Sequence, residues 1–111
     1  MAQPAASSTG PFTGPVGERV ATHREELRDL LHRRGVTNPR IFGSVARGDD
    51  HIGSDIDLLV DLAPGMSLFT IARLQAELEE VLGGDAAVDL VPAAGLKPTV
   101  RARIAPELIP L

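Results

Sequence analysis

Two aspartates separated by a single residue give this sequence its clearest chemical feature. Asp55 and Asp57 open an apolar segment, residues 58–60, which predicts a strand that enters a core. Side chains at positions i and i+2 of a strand point to the same face, so we expect the two carboxylates to lie together. Carboxylates in such a place are costly unless a positive charge compensates them. A divalent cation that prefers oxygen ligands, such as Mg²⁺, is the simplest compensating group.

A glycine–serine pair precedes the aspartates along the chain. Gly43 and Ser44 follow a predicted strand over residues 36–42 and lead into a predicted helical turn over residues 45–47. Backbone N–H groups and a hydroxyl at the start of a helix are groups with which proteins bind phosphate. A phosphate-binding turn opposite a metal-binding pair is the arrangement that transfer of a phosphorus-centred group requires.

A third carboxylate lies in a later apolar strand. Asp89 stands between Val88 and Leu90 in a strand predicted over residues 86–91, so its side chain should face away from theirs. If this strand lies beside the strand of Asp57, Asp89 can share the metal and accept a proton from an attacking hydroxyl. Each feature alone is common in strand ends and turns, and the combination is the more specific signal.

The remaining pattern predicts an α+β fold, a small mixed β-sheet with helices on one face. Residues 1–15 have the composition of a disordered tail. A polar loop over residues 48–53 carries possible ligands, but nothing fixes their geometry and we predict a solvated loop tip. The other predicted elements are a helix over residues 16–34, a helix capped by Ser67 with an apolar stripe from Leu68 to Leu82, and a short helix with an apolar tail over residues 96–111.

Composition narrows the class of protein further. The 111 residues suffice for one small domain, and the absence of cysteine excludes disulfides and thiolate sites. A net charge of −4 argues against general nucleic-acid binding. No apolar run approaches the ~20 residues that span a bilayer, and the first residues do not form a secretory signal. We therefore expect a soluble cytoplasmic protein.

The motifs resemble those of a known enzyme family. Gly43-Ser44, ten intervening residues and Asp55-Ile56-Asp57 match the signature of nucleotidyltransferases related to DNA polymerase beta. The finer pattern, residues 42–48 followed by residues 54–58, resembles the minimal nucleotidyltransferase (MNT) branch. The resemblance covers about residues 16–111, which are expected to form the MNT domain with a polymerase-beta-like fold, and leaves residues 1–15 outside it.

The resemblance implies a role for each acidic residue. Asp55 and Asp57 would hold Mg²⁺, and two ions are expected for this reaction class. Asp89 would complete one metal site and activate the acceptor hydroxyl, which attacks the α-phosphorus of the nucleotide.

The phosphate side of the site is assigned in the same way. Ser44 and the backbone of Gly43 would bind the β- and γ-phosphates of ATP, and pyrophosphate would leave. Arg47 would contact the leaving phosphates, with a surface pairing to Asp49 or Asp50 as the open alternative.

The acceptor is implied only by the family. Minimal nucleotidyltransferases act as antitoxins that place AMP on a tyrosine hydroxyl of a HEPN ribonuclease toxin, so a HEPN-domain protein is the expected partner. One alternative is a small-molecule nucleotidyltransferase of the aminoglycoside type. The other is a non-catalytic binding antitoxin that docks through its apolar tail, residues 104–111, and the basic residues Lys97, Arg101 and Arg103.

Overall fold

The computed structural model describes residues 12–111. The structure confirms the predicted α+β fold, with helices around one small mixed sheet. Within the described range the elements are α1 Pro15–Thr22, α2 Arg24–Arg33, β1 Val36–Phe42, α3 Ser44–Arg47, β2 Ile56–Leu62, α4 Leu68–Val81, β3 Val88–Pro92, α5 Pro98–Ile104 and β4 Ile109–Pro110, with 3₁₀ turns at Ala93–Gly95 and Ala105–Glu107.

The four strands are ordered β3-β2-β1-β4 in the sheet. β1 pairs with β2 and with β4 in antiparallel fashion, whereas β2 and β3 are parallel. Parallel strands need a crossover connection, which α4 supplies between β2 and β3. The first residues of β2 and β3 therefore lie side by side at one end of the sheet.

The two faces of the sheet bury different sets of residues, because alternate residues of a strand point to opposite faces. Leu58 of β2 belongs to the main core, which α1, α2 and α4 cover. Leu59 belongs to a smaller cluster with Ala93 and Ile104 from the C-terminal segment. The larger helices thus lie on one face, and the C-terminal segment lies across the other.

The single helix predicted over residues 16–34 is divided in two. His23 has φ −103° and ψ 16°, which ends α1 and begins α2. No glycine or proline marks this break in the sequence. The structure ties the start of α2 to the end of the chain, since Arg24 donates hydrogen bonds from Nε to the carbonyl of Leu111 (2.6 Å) and from Nη2 to that of Pro110 (2.8 Å).

The predicted tail over residues 1–15 is only partly covered by the structure. Its residues 1–11 lie outside the described range, and Pro15 already begins α1, where its fixed φ suits the first helical position. Phe12 packs against the main core and lies 4.9 Å beneath the Arg24 guanidinium.

Helix α4 begins where the sequence predicts it, with the Ser67 hydroxyl accepting the N–H of Thr70 at 3.2 Å. Its buried residues are Leu74 and Leu78, and Leu82, which follows the last residue of the helix, is buried as well. The prediction that Leu68 belongs to the same apolar stripe is wrong: Leu68 is 82% exposed. It lies six residues before Leu74, which places it about 120° around the helix. Among residues 12–111 no helix has both the length and the apolarity to cross a bilayer.

The C-terminal segment, predicted as a helix with an apolar tail, contributes a strand. Ile109 of β4 is the register partner of Ile41 on β1, and Leu111 is 4% exposed. Ile104 is buried as well. These apolar residues are used within the fold, so they do not form the free docking tail of the binding-only alternative.

Both outer strands of the sheet have their edges covered. On β3, the N–H of Val88 donates to Glu79 Oε2 and the N–H of Leu90 to Gln75 Oε1, each at 2.9 Å. Both acceptors belong to α4. On the opposite edge, β4 contains Pro110, which has no N–H to offer.

Candidate active site

Asp57 and Asp89 are direct neighbours on the sheet. They are register partners in the parallel pair of β2 and β3, where strands lie about 4.8 Å apart. Asp57 shares its face with Leu59 two residues on, and Asp89 shares its face with Val91. Both carboxylates therefore emerge on the face that the C-terminal segment partly covers.

Asp55 lies immediately before β2 and is exposed. Burial is the largest cause that raises the pKa of Asp57, and the negative charges of Asp89, Asp55 and Glu107 raise it further. Arg47 acts in the opposite direction. The neighbouring negative charges thus disfavour the ionisation of Asp57, although no three His, Cys, Asp or Glu side chains within residues 12–111 form a preassembled metal cluster.

The glycine–serine turn lies against this acidic group. Phe42, the last residue of β1, is the register partner of Asp57. Gly43 follows with φ 82° and ψ −157°, and a Cβ atom at this position would overlap the carboxylate of Asp57. Ser44 is half-buried and begins the single turn of α3, which ends at Gly48 in the left-handed conformation. The structure therefore brings together the two motifs that the sequence separates by ten residues.

Arg47 is held by two carboxylates beside the turn. Its Nε donates to Asp49 Oδ2 at 3.2 Å, and its Nη1 donates to Glu107 Oε2 at 2.9 Å. Of the two surface partners left open by the sequence, the structure shows Asp49 and not Asp50. A phosphate contact is compatible with this geometry, because a guanidinium has five N–H donors.

Glu107 is a residue of the site that sequence reasoning missed. Its Oε1 accepts the backbone N–H of Gly43 at 2.9 Å, so its carboxylate bridges Gly43 and Arg47. The N–H of Gly43 is the main cause that holds the pKa of Glu107 below its usual range, and Arg47 lowers it further. No motif marks this glutamate, which is 64 residues from Gly43 along the chain.

Asp50 corrects the prediction of a solvated loop tip over residues 48–53. It is 7% exposed, and its Oδ2 accepts the N–H groups of Val16 (2.8 Å) and Gly17 (3.0 Å) at the start of α1. A carboxylate at this place satisfies helix N–H groups that have no partner within the helix. Asp50 is therefore a helix cap, while its neighbours Asp49 and His51 are exposed.

Known proteins match this sequence over most of its length. The family model described as a nucleotidyltransferase domain matches residues 20–110. A Methanocaldococcus jannaschii protein provisionally named protein adenylyltransferase is 38% identical over 86 residues, which are 78% of this chain and 90% of that protein. Protein adenylyltransferase MntA of Thermococcus cleftensis is 36% identical over 90 residues, which are 81% of this chain and 86% of the relative.

Solved structures show the same fold. A provisionally assigned minimal nucleotidyltransferase has a TM-score of 0.74 and 42% identity, covering 85% of this chain and 94% of its own. A complex of a tri-AMPylated Shewanella oneidensis HEPN toxin with an MNT antitoxin has a TM-score of 0.62 at 20% identity, covering 81% of this chain and 69% of the matched chain, and this likeness concerns the fold. Since the matched residues 20–110 of the family model include every element that carries the acidic group and the glycine–serine turn, the chain belongs to the nucleotidyltransferase domain family, in its minimal, polymerase-beta-like branch, and is an enzyme of that class.

Proposed function

We propose that this protein transfers AMP from ATP to a hydroxyl group of a partner protein. The observation that carries the proposal is the position of Asp57, with Asp89 as its cross-strand neighbour and Gly43 directly against its carboxylate. This arrangement supports the proposal, because a metal pair, a proton acceptor and a phosphate-binding turn would need to lie together in one small region of the sheet.

The donor set fits Mg²⁺ by its chemistry. Asp55, Asp57 and Asp89 offer only carboxylate oxygens, which this ion prefers. Burial and then the negative charges of its neighbours raise the pKa of Asp57, and Arg47 offsets this only in part. We expect the three aspartates to hold one or two ions, with side-chain rotation at the exposed Asp55 and Asp89 during binding. When bound, the ions would neutralise charge on the phosphates.

Different residues of the chain carry out different parts of the proposed reaction. Asp89 accepts the proton of the acceptor hydroxyl, whose oxygen forms a bond to the α-phosphorus. The bond from the α-phosphorus to the bridging oxygen of the β-phosphate breaks, and pyrophosphate leaves. Ser44 and Arg47 orient the β- and γ-phosphates so that attack and departure are in line.

The names of the relatives support a protein as the acceptor. The two curated relatives are named protein adenylyltransferases, and the neighbouring complex contains an AMPylated HEPN toxin. We therefore infer that this chain is the antitoxin of such a pair and that the acceptor is a tyrosine of a HEPN ribonuclease toxin.

The test is a direct mass measurement. The protein is incubated with a HEPN-domain protein from the same organism, ATP and Mg²⁺, and the mass of that partner is measured. We expect increments of one adenylate, lost in the double variant Asp55→Asn, Asp57→Asn and retained in Asp29→Asn, which removes an exposed carboxylate from α2 on the opposite face. An unmodified partner would contradict the proposal, and a double variant that still neutralises the toxin would assign the antitoxin role to binding alone.

A further inference from the structure

The 3₁₀ turn at Ala105–Glu107 delivers a carboxylate to the glycine–serine turn. Glu107 accepts the N–H of Gly43 through Oε1 and the Nη1 hydrogen of Arg47 through Oε2, both at 2.9 Å. We propose that Glu107 is a positioning residue for the triphosphate, which holds the turn and the Arg47 guanidinium in the geometry that the phosphates require. The inference rests on the proposed function.

The Glu107 carboxylate belongs to a segment that is packed against the sheet on both sides of the 3₁₀ turn. Ile104 lies before the turn and is buried, and Leu108 after it packs against the smaller cluster around Leu59. The next residue, Ile109, pairs with β1. Glu107 is thus fixed on both sides, so the hydrogen bonds that it makes restrain its partners rather than follow them.

Arg47 is the partner that needs restraint. Its side chain is 47% exposed, and a long side chain at such a site loses considerable conformational entropy when a ligand orders it. Asp49 engages Nε and Glu107 engages Nη1. Among the described residues Nη2 makes no hydrogen bond, so Asp49 and Glu107 hold the planar guanidinium through two of its nitrogens and the N–H groups of Nη2 are available to a phosphate.

The contact with Gly43 changes the expected division of roles at the turn. Because the N–H of Gly43 already donates to Glu107, it is not a free donor for phosphate. We therefore assign the phosphates to the Ser44 hydroxyl and to Arg47 rather than to the N–H of Gly43. The role of Gly43 is instead steric: because glycine has no Cβ atom, the turn can lie directly against Asp57.

The test measures the affinity for α,β-methylene-ATP with Mg²⁺ by titration calorimetry. Glu107→Ala removes both contacts, and we expect the dissociation constant to rise about tenfold. Glu107→Gln keeps an acceptor for Gly43 and should raise it less. Glu80→Gln, an exposed carboxylate on α4 across the sheet, should leave it unchanged. In an Arg47→Ala background the effect of Glu107→Gln should largely vanish, which a general loss of structure would not produce.

The outcomes separate this inference from the proposed function. Wild-type protein that binds no nucleotide would overturn both. Wild-type binding with unchanged affinity in the two Glu107 variants would overturn this inference alone. Tighter binding in those variants would also overturn it, since Glu107 would then be a carboxylate that competes with the phosphates. Thermal melting checks that each variant is folded, and Glu107→Gln is expected to fold because it keeps the shape of the side chain.

Discussion

The turn at Gly43 lies so close to Asp57 that no side chain fits between them. A Cβ atom on Gly43 would overlap Oδ2 of Asp57. The approach follows from the register of β1 with β2, in which Phe42 is the partner of Asp57. The two motifs of the site are therefore one packed unit, and a change in either should displace the other.

Substitution of Gly43 by alanine tests this packing. Gly43→Ala places a methyl group against the Asp57 carboxylate and also forces alanine into a φ of 82°. We expect a loss of about 1 kcal/mol from the backbone conformation alone and a further loss from the overlap. Adenylate transfer should fall at least tenfold. Urea unfolding and a transfer assay measure the two effects.

Gly65→Ala is the matched control for that variant. Gly65 has the same φ of 82°, but a Cβ atom there would meet nothing within 4 Å. Gly65→Ala should therefore lose only the part of the free energy of unfolding that comes from the backbone conformation, and it should keep full activity. Equal activity of the two variants would show that the contact between Gly43 and Asp57 has no functional importance.

Removing the charge of Asp57 should stabilise the metal-free fold while abolishing transfer. Its pKa is raised by burial and by the charges of Asp89 and Asp55, so ionised Asp57 is unfavourable in the folded state. We expect Asp57→Asn to gain about 0.5 kcal/mol in EDTA at neutral pH, the size of a cross-strand like-charge repulsion. The stability of Asp29→Asn should equal that of the wild type. Urea unfolding in EDTA distinguishes these outcomes.

The pH dependence of that gain has a defined sign. The folded-state pKa of Asp57 lies above the ordinary value of 3.8, so the protonated side chain is the form that the fold favours. The stability that comes from this preference is fully present below pH 3.8 and is lost as the pH rises through the raised pKa. Because asparagine resembles the protonated acid, the variant and the wild type should be equally stable at low pH and diverge as pH rises. A gap that widens toward acid pH would contradict the assignment.

Metal and nucleotide should stabilise the protein together. Mg²⁺ with a non-hydrolysable ATP analogue at about 100 times its dissociation constant is expected to add about 2.7 kcal/mol to the free energy of unfolding. The double variant Asp55→Asn, Asp57→Asn should show no metal-dependent part of this shift. Thermal melting with and without EDTA makes the comparison, and an identical metal response in the double variant would argue against an ion at these aspartates.

Asp50 should matter for folding rather than chemistry. Asp50→Ala leaves the N–H groups of Val16 and Gly17 without their acceptor, at a cost of about 2 kcal/mol. Asp50→Asn keeps one acceptor oxygen and should cost less. The activity per folded molecule should be unchanged in both. A large loss of activity in fully folded Asp50→Asn would instead place this residue in the catalytic machinery.

Local sequence signals predicted the elements that carry the acidic motifs. β1 spans residues 36–42 as expected, and α4 begins after its Ser67 cap. The alternation around Asp89 also placed its side chain on the correct face. Each of these features depends on neighbouring residues, such as a serine that caps a helix or an apolar run that enters a core.

The features that escaped prediction depend on contacts between distant parts of the chain. Glu107 acts across 64 residues, and Asp50 caps a helix 34 residues before it. β4 has only two residues, one of them proline, so no periodicity reveals it. The break at His23 likewise has no local marker. Sequence patterns predicted which residues the proposed chemistry would use, whereas the supporting contacts required the folded chain.

The covered edges of the sheet limit how this protein can assemble with others. On β3 the outward N–H groups of Val88 and Leu90 are already donated to α4, and β4 presents Pro110. An exposed strand edge invites pairing with a foreign strand, and these side chains remove that opportunity on both sides. These edges favour recognition of a partner through the helices and loops, with the sheet left intact.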